Sequence, residues 1–153
     1  MKQSSVRPRF VEFIPEQLDE GVLYVSERYK TASHKCCCGC GEEVVTPLSP
    51  ADWSLRADGD VVSLHPSIGN WRFSCRSHYW IRRNQVVWAG PMKEADIARV
   101  QRRDSIDKER YIAAINRAKQ PTTPPRREAQ EPTRPTSFGL LKSAWLALTR
   151  WFK

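Results

Sequence analysis

Residues 34–41 read His-Lys-Cys-Cys-Cys-Gly-Cys-Gly, and residues 75–78 read Cys-Arg-Ser-His. These two short groups contain all five cysteines of the chain and two of its three histidines. Zinc sites are usually built from two such groups separated by a loop or hairpin, because Zn2+ prefers four nitrogen or sulfur ligands in a tetrahedron. Gly39 and Gly41 fit a turn that directs N–H groups toward sulfur, since they tolerate positive φ. We therefore predict a bound Zn2+ ion.

The two groups offer more ligand candidates than the four positions of a zinc site. An all-cysteine site would combine Cys36 or Cys37 with Cys38, Cys40 and Cys75. A mixed site would include His78 and omit one thiol of the cluster. Disulfides are the alternative, but the number of cysteines is odd and adjacent cysteines are poorly placed to bridge one another. The candidates are Cys36, Cys37, Cys38, Cys40, Cys75 and His78.

The length and charge of the chain limit the function classes. A chain of 153 residues suits one small domain with appendages. Residues 1–90 carry 11 Lys/Arg and 10 Asp/Glu, a net charge of +1, whereas residues 91–153 carry 14 and 7, a net charge of +7. Because non-specific nucleic-acid binding needs clustered positive charge, we do not expect the cysteine-bearing part to bind nucleic acid.

The sequence contains no obvious membrane-spanning or secretion signal. No apolar run approaches the roughly 20 residues that span a bilayer. The N-terminal residues Met-Lys-Gln-Ser-Ser do not resemble a signal peptide. We expect a cytoplasmic protein.

Short apolar segments bounded by turn signals dominate the first part of the chain. Asp58-Gly59 predicts a tight hairpin turn, and residues 82–85 predict another. We expect a mainly β fold with C-terminal helices (α+β), and a zinc-stabilised β domain at residues 1–90, because about 80 residues make a marginal core without such a constraint. Strands are predicted at residues 10–14, 22–29, 44–48, 53–56, 61–64, 78–81 and 86–88.

The composition changes after residue 90. Residues 91–119 predict a basic helical region, as one long helix or as two helices broken near Asp104-Ser105. Residues 120–137 contain five prolines and predict a Pro-rich linker. Residues 138–153 predict an amphipathic helix that lies on a membrane surface, docks into a partner's groove or folds back on the domain.

Residues 63–71 contain Pro and Gly between two predicted strands, which predicts a shaped loop near the metal. Ser67 would be a nucleophile if His65 or a metal-free His78 lay within hydrogen-bond distance. Either Glu42 or Glu43, directly after the cysteine cluster, would be a general base beside an open metal position. The non-catalytic alternative is that Ser67 is an ordinary turn residue, that His65 lies on the surface and that the glutamate carboxylates are solvated. No common enzyme signature such as His-Glu-x-x-His or Gly-x-Ser-x-Gly is present.

Three sequence blocks, residues 34–41, 63–67 and 75–80, resemble in this order a family of small bacterial proteins. Members of that family are encoded beside E1-like, E2-like and ubiquitin-like proteins. Those operons carry out ubiquitination-like conjugation and are often linked to phage defence. The resemblance covers about residues 10–90 and implies a peptidase that matures a ubiquitin-like precursor or removes it from targets. The family pattern does not include Cys37 or His65. It falls on Cys36, Cys38, Cys40, Pro66, Ser67, Cys75 and His78.

Our first hypothesis is a zinc-containing peptidase that cleaves after the C-terminal glycine of a bacterial ubiquitin-like protein. E1-like and E2-like proteins are the other expected partners. In one mechanism a closed four-cysteine zinc is structural, and Ser67 with His78 catalyses acyl transfer. In the other, His78 is a zinc ligand and Glu42 is the base for a zinc-bound water. The alternative functions are a non-catalytic zinc module that binds a ubiquitin-like protein or an E2-like enzyme, and a nucleic-acid-binding zinc protein.

Overall fold

The computed structural model describes residues 1–120, which form eight strands followed by one helix. The strands are Arg7–Phe10 (β1), Val22–Ser26 (β2), Thr31–Lys35 (β3), Glu43–Pro47 (β4), Ser54–Asp58 (β5), Val61–Gly69 (β6), His78–Arg82 (β7) and Gln85–Trp88 (β8), and the helix is Glu94–Lys119 (α1). The predicted mainly β class with a C-terminal helix is confirmed.

The strands form two four-stranded sheets, in the orders β1-β2-β3-β4 and β5-β6-β7-β8. The β1–β2 pair is parallel and every other neighbouring pair is antiparallel. The two sheets share one hydrophobic core, because each has an apolar face that must be removed from water. Its fully or nearly fully buried members include Leu23, Val25, Ala32 and Val44 from the first sheet and Val62, Leu64, Ile68, Tyr79 and Ile81 from the second.

Side chains of β6 and β7 alternate between this core and an outer face. Ile68 pairs with Tyr79 across the two strands, and both side chains are buried. Their neighbours Ser67, His78 and Trp80 are only partly buried, since successive residues of a strand point to opposite sides of the sheet. The second sheet therefore displays a serine and a histidine on the same outer face.

The strand predicted at residues 10–14 is wrong, because β1 ends at Phe10. The apolar pattern beyond it belongs to a segment that packs on β2 instead of pairing as a strand. Val11 and Ile14 contact a small cluster formed by Leu18, Val22 and Tyr24. All five residues of β2 are buried, so apolar side chains are needed on both of its sides.

The prediction missed β3, whose sequence Thr-Ala-Ser-His-Lys contains no apolar run. The strand is nevertheless central, since it pairs with β2 on one side and β4 on the other. One polar atom of its buried side chains has a distant partner, since His34 Nε2 lies 2.8 Å from the Tyr79 hydroxyl, whereas His34 Nδ1 has none within residues 1–120. A polar strand can be buried when its hydrogen bonds are made, and hydrophobic periodicity alone does not find it.

The loop predicted at residues 63–71 is also wrong over most of its length, because β6 continues to Gly69. Pairing with β7 is irregular only between Leu64 and Ile68. Pro66 lies in this interval and has no N–H group to donate to a neighbouring strand. The connecting loop begins only at Asn70.

The basic region forms one unbroken helix, α1, so the alternative of two helices broken near Asp104-Ser105 does not apply. Ile97 is buried against the β domain, and Lys108 Nζ lies 3.0 Å from Asp52 Oδ1. Within residues 1–120 no helix is both long and apolar enough to cross a bilayer. The predicted linker at 120–137 and amphipathic helix at 138–153 lie outside the described residues, apart from Gln120, and the proposed domain boundaries stay predictions.

Adjacent valines of β4 provide a matched test of the shared core. Val44 is 4% exposed and Val45 is 53% exposed. We expect Val44→Ala to lower the free energy of unfolding by about 2 kcal/mol, because the lost methyl groups leave a cavity. Val45→Ala should change it by less than about 0.5 kcal/mol. Urea denaturation measures both, and equal losses would contradict the assignment of the buried face.

Candidate functional site

The connection between β3 and β4 holds the first group of cysteines. Cys36 N–H donates to the Glu42 carbonyl at 2.8 Å, and Gly39 N–H donates to the Cys36 carbonyl at 3.0 Å. Gly39 and Gly41 both have φ of 83°, as predicted. A side chain would strain both positions, so the glycines allow the chain to fold tightly around the sulfur atoms.

The connection between β6 and β7 carries the fifth cysteine. Asn70 N–H donates to the Ser77 carbonyl at 2.9 Å and closes the base of this loop. Inside the loop, Arg76 N–H donates to the Phe73 carbonyl at 3.0 Å. Cys75 is thereby placed opposite the cysteines of the first sheet, three residues before His78.

Four thiols from the two connections converge: Cys36, Cys38, Cys40 and Cys75 have all their Sγ atoms within 4.8 Å of one another. The Sγ–Sγ distances include 3.4 Å from Cys36 to Cys38, 3.9 Å from Cys36 to Cys75 and 3.7 Å from Cys40 to Cys75. A tetrahedral ion with metal–sulfur bonds of about 2.3 Å requires sulfur separations of about 3.8 Å. A disulfide requires about 2.05 Å. The group can therefore hold a metal ion.

The chemistry of the thiols agrees with that fit. Burial, together with the thiols of Cys40 and Cys36, raises the pKa of Cys38. Burial also raises the pKa of Cys40, although its hydrogen bonds to the Glu42 backbone and to Cys38 act to lower it. Burial also acts to raise the pKa of Cys75, but hydrogen bonds to Ser77 outweigh it and lower that pKa to about 7. Four thiolates at these separations repel one another, and a divalent cation removes this repulsion and favours the ionised form.

A buried polar network supports the thiol group from inside the domain. Asn70 Nδ2 donates to Ser77 Oγ at 2.9 Å and approaches Cys36 Sγ at 3.5 Å. Ser77 Oγ itself lies 3.1 Å from Cys36 Sγ. The Tyr79 hydroxyl, 3.5 Å from Asn70 Nδ2, connects this network to His34. Such partners orient the ligands of a metal site, and sequence reasoning missed Asn70 and Ser77 because both resemble ordinary turn residues.

Two of the six ligand candidates lie apart from this group. Cys37 is fully buried in the shared core. Burial raises the pKa of its thiol to about 12. His78 is not among the converging residues, and its imidazole has a different partner.

That partner is Ser67, whose Oγ lies 3.0 Å from His78 Nε2. Burial lowers the pKa of His78, so the imidazole is neutral near pH 7 and can accept a proton. Within residues 1–120, His78 Nδ1 is buried and has no hydrogen-bond partner. His65, the other candidate partner of Ser67, is exposed.

Two indoles that the sequence analysis did not single out contact the His78 imidazole. The ring centroid of Trp71 lies 4.9 Å from that of His78, and the centroid of Trp80 lies 5.4 Å from it. Trp80 follows His78 by two residues on the same strand, and this spacing was the available signal for its contact. No local pattern indicates that Trp71 reaches His78, since the loop brings it there.

A cavity of about 320 Å3 opens beside the histidine. His78, Trp71 and Trp88 line it together with Met92, from the segment before α1, and Ile97, from the first turn of α1. Its walls combine indole and aliphatic surfaces with charged side chains, which suits a short stretch of peptide; the charged residues are Lys2, Arg76 and Glu94.

Glu42, the other candidate base, is exposed and follows the turn of the first cysteine group. Its carbonyl accepts the Cys36 N–H. In the part of the chain that the structure describes, its carboxylate makes no hydrogen bond or ion pair.

A serine hydroxyl hydrogen-bonded to a neutral histidine is the arrangement that serine hydrolases use to form an acyl-enzyme. Residues 10–89, which are 80 of the 153 residues, match the family BubE, bacterial ubiquitination-like system serine protease. The chain belongs to this family, and it is a peptidase of a bacterial ubiquitination-like system. No curated protein and no solved structure shows a significant match.

The environment of His78 predicts its titration. We expect its imidazole to titrate below the ordinary value of 6.5, since burial disfavours the charged form. The stabilisation linked to this group is therefore present above pH 6.5 and is lost as the pH falls through the folded-state pKa. NMR of 15N-histidine-labelled protein, with His78→Gln to assign the signal, measures the midpoint. A midpoint above 6.5 would contradict this environment.

Proposed function

We propose that Ser67 is the nucleophile and His78 the general base of a peptidase that releases a bacterial ubiquitin-like protein from a C-terminal extension or from a target. The observation that carries the proposal is the 3.0 Å distance from His78 Nε2 to Ser67 Oγ. Membership of a serine protease family supports it. The neutral state of His78 supports it as well, because a base must be unprotonated before the attack.

The reaction then proceeds by acyl transfer. His78 Nε2 takes the Ser67 Oγ proton as Oγ bonds to the carbonyl carbon of the C-terminal glycine of the ubiquitin-like protein. The imidazolium returns this proton to the leaving amine as the scissile bond breaks, which leaves an ester on Ser67. His78 next takes a proton from water, whose oxygen attacks the ester, and then returns it to Ser67 Oγ.

The metal in this proposal is a structural Zn2+ held by the four converging thiols. Four protein ligands fill a tetrahedral site and leave no position for a catalytic water. The position of Cys75 supports a structural role, because its loop joins the strand of Ser67 to the strand of His78. Under this proposal His78 is not a zinc ligand, and Glu42 has no catalytic role. The alternative with Glu42 as base requires an open metal position.

The proposed substrate is a ubiquitin-like protein that is cleaved after its C-terminal glycine. The family's assignment to ubiquitination-like systems supports partners from such a pathway, among them E1-like and E2-like proteins. The cavity beside His78 supports a peptide substrate, since an extended chain end can enter it.

Removal of the Ser67 hydroxyl tests the nucleophile. We expect Ser67→Ala to lower cleavage of the ubiquitin-like precursor from the same operon at least about 1,000-fold, because no acyl-enzyme can form. Intact-mass spectrometry of the precursor measures cleavage. Ser74→Ala, an exposed serine in the loop after β6, is the control and should retain wild-type activity.

Cleavage by Ser67→Ala at the wild-type rate would overturn the serine mechanism and favour the zinc mechanism with Glu42. Stable co-purification with the precursor, without cleavage by the wild-type protein, would favour the non-catalytic binding module.

Removal of one thiol tests the metal site. We expect about one equivalent of zinc per wild-type chain, as four thiolates hold one ion. Cys75→Ser should lose it, and the free energy of unfolding should fall by at least about 3 kcal/mol, because metal-binding energy contributes to folding. Cys37→Ala, the matched control, should keep the zinc. Elemental analysis measures the content, and zinc lost from Cys37→Ala but kept in Cys75→Ser would contradict the assignment.

A further inference from the structure

Within residues 1–120, the His78 imidazole lacks the acceptor that usually orients a catalytic histidine. In a Ser-His-Asp triad a buried carboxylate accepts the second N–H group of the imidazole and stabilises the imidazolium. In the described part of this chain, His78 Nδ1 is buried and has no hydrogen-bond partner. Among these residues, aromatic contacts are the ones that can hold the ring toward Ser67.

The two indoles are the groups in position to do this. Trp71 meets the imidazole at an interplanar angle of 58° and Trp80 at 38°, at centroid separations of 4.9 and 5.4 Å. Trp80 is itself covered by the Arg82 guanidinium, whose Cζ lies 5.0 Å from the indole centroid. These contacts restrict rotation of the imidazole, and the indoles also favour an imidazolium ion, since a cation within about 6 Å of an aromatic centroid is attracted to it.

The position of Trp71 depends on a glycine in the strand opposite His78. Gly69 pairs directly with His78 across β6 and β7. A Cβ atom at residue 69 would lie 2.5 Å from both Cε2 and Nε1 of Trp71. The indole therefore crosses the β6 backbone where a side chain would stand, and any other residue at position 69 would displace it.

We propose that Trp71 and Trp80 are positioning residues that orient His78 toward Ser67 in place of a carboxylate, and that Gly69 acts through Trp71. The inference rests on the proposed Ser67–His78 function and adds the way in which its base is held. Loss of either indole should lower the rate of acylation, and loss of Trp80, which does not line the cavity, should leave substrate binding largely intact.

A fluorophosphonate probe measures this step without the protein substrate, because it phosphonylates an activated serine and loses fluoride. Mass spectrometry locates the label on Ser67. We expect Trp71→Leu to lower the labelling rate about 10- to 100-fold, in line with a base displaced by about 1 Å. Trp71→Phe keeps an aromatic ring and should stay within about threefold of wild type. In precursor cleavage, Trp80→Leu should lower kcat and leave KM nearly unchanged, because Trp80 contacts His78 without lining the cavity.

Trp53→Leu is the matched control. Trp53 is another partly buried indole that packs against the shared core, but it neither lines the cavity nor stacks on His78. Its substitution should leave the labelling rate near that of wild type. The zinc content and thermal unfolding of each variant separate a misplaced base from a misfolded domain.

A double-mutant cycle tests the role of Gly69. We expect Gly69→Ala alone to slow labelling about as much as Trp71→Leu, and to add little in the Trp71→Leu background, since the clash then has no indole to displace. Full additivity of the two effects would overturn the role of Gly69.

The two levels of the proposal fail differently. Wild-type labelling by Trp71→Leu, with no labelling of Ser67→Ala, would overturn the positioning role and leave the Ser67–His78 function standing. Unchanged labelling of Ser67→Ala would overturn both.

Discussion

The convergence of four thiols from two connections is the constraint on which the rest of this structure depends. Three of them lie in the turn that follows β3 of the first sheet, and Cys75 lies in the loop between β6 and β7 of the second. A domain of about 80 residues buries too little apolar surface to be stable with a wide margin. A cation bound by these thiols would link the two sheets beside the shared core, against which Cys38 and Cys75 pack.

The same loop connects this structural group to the candidate catalytic pair. Ser67 lies on the strand that enters the loop, and His78 is the first residue of the strand that leaves it. Asn70 and Ser77 close the base of the loop and also reach Cys36. The separation of the serine from the histidine is therefore determined by strand pairing, and the loop is held both by the thiols and by a buried polar network.

Some strands could be predicted from the sequence and others could not, because a residue pattern reports burial and does not report strand pairing. Segments with one apolar face, such as β7 and β8, were found near their observed positions because alternation reports a half-buried strand. β3 was missed because it has no apolar run and because His34 Nε2 and the Ala32 carbonyl find their hydrogen-bond partners far away in sequence. It misplaced β1 and ended β6 too early, because apolar side chains also serve packed loops and because Pro66 resembles a loop residue.

The sequence by itself determined the β class and the presence of a thiol-rich group with glycines at its turns, because both follow from local residue chemistry and spacing. Only the tertiary structure decided that Cys37 faces the core while its two neighbours join Cys75, and that His78 meets Ser67 instead of the other thiols. The contact of Trp71 with His78 was likewise decided only by the tertiary structure. The physical reason is that side-chain direction alternates along a strand, so the partners of a residue depend on register and on loop closure, which involve residues far apart in the chain.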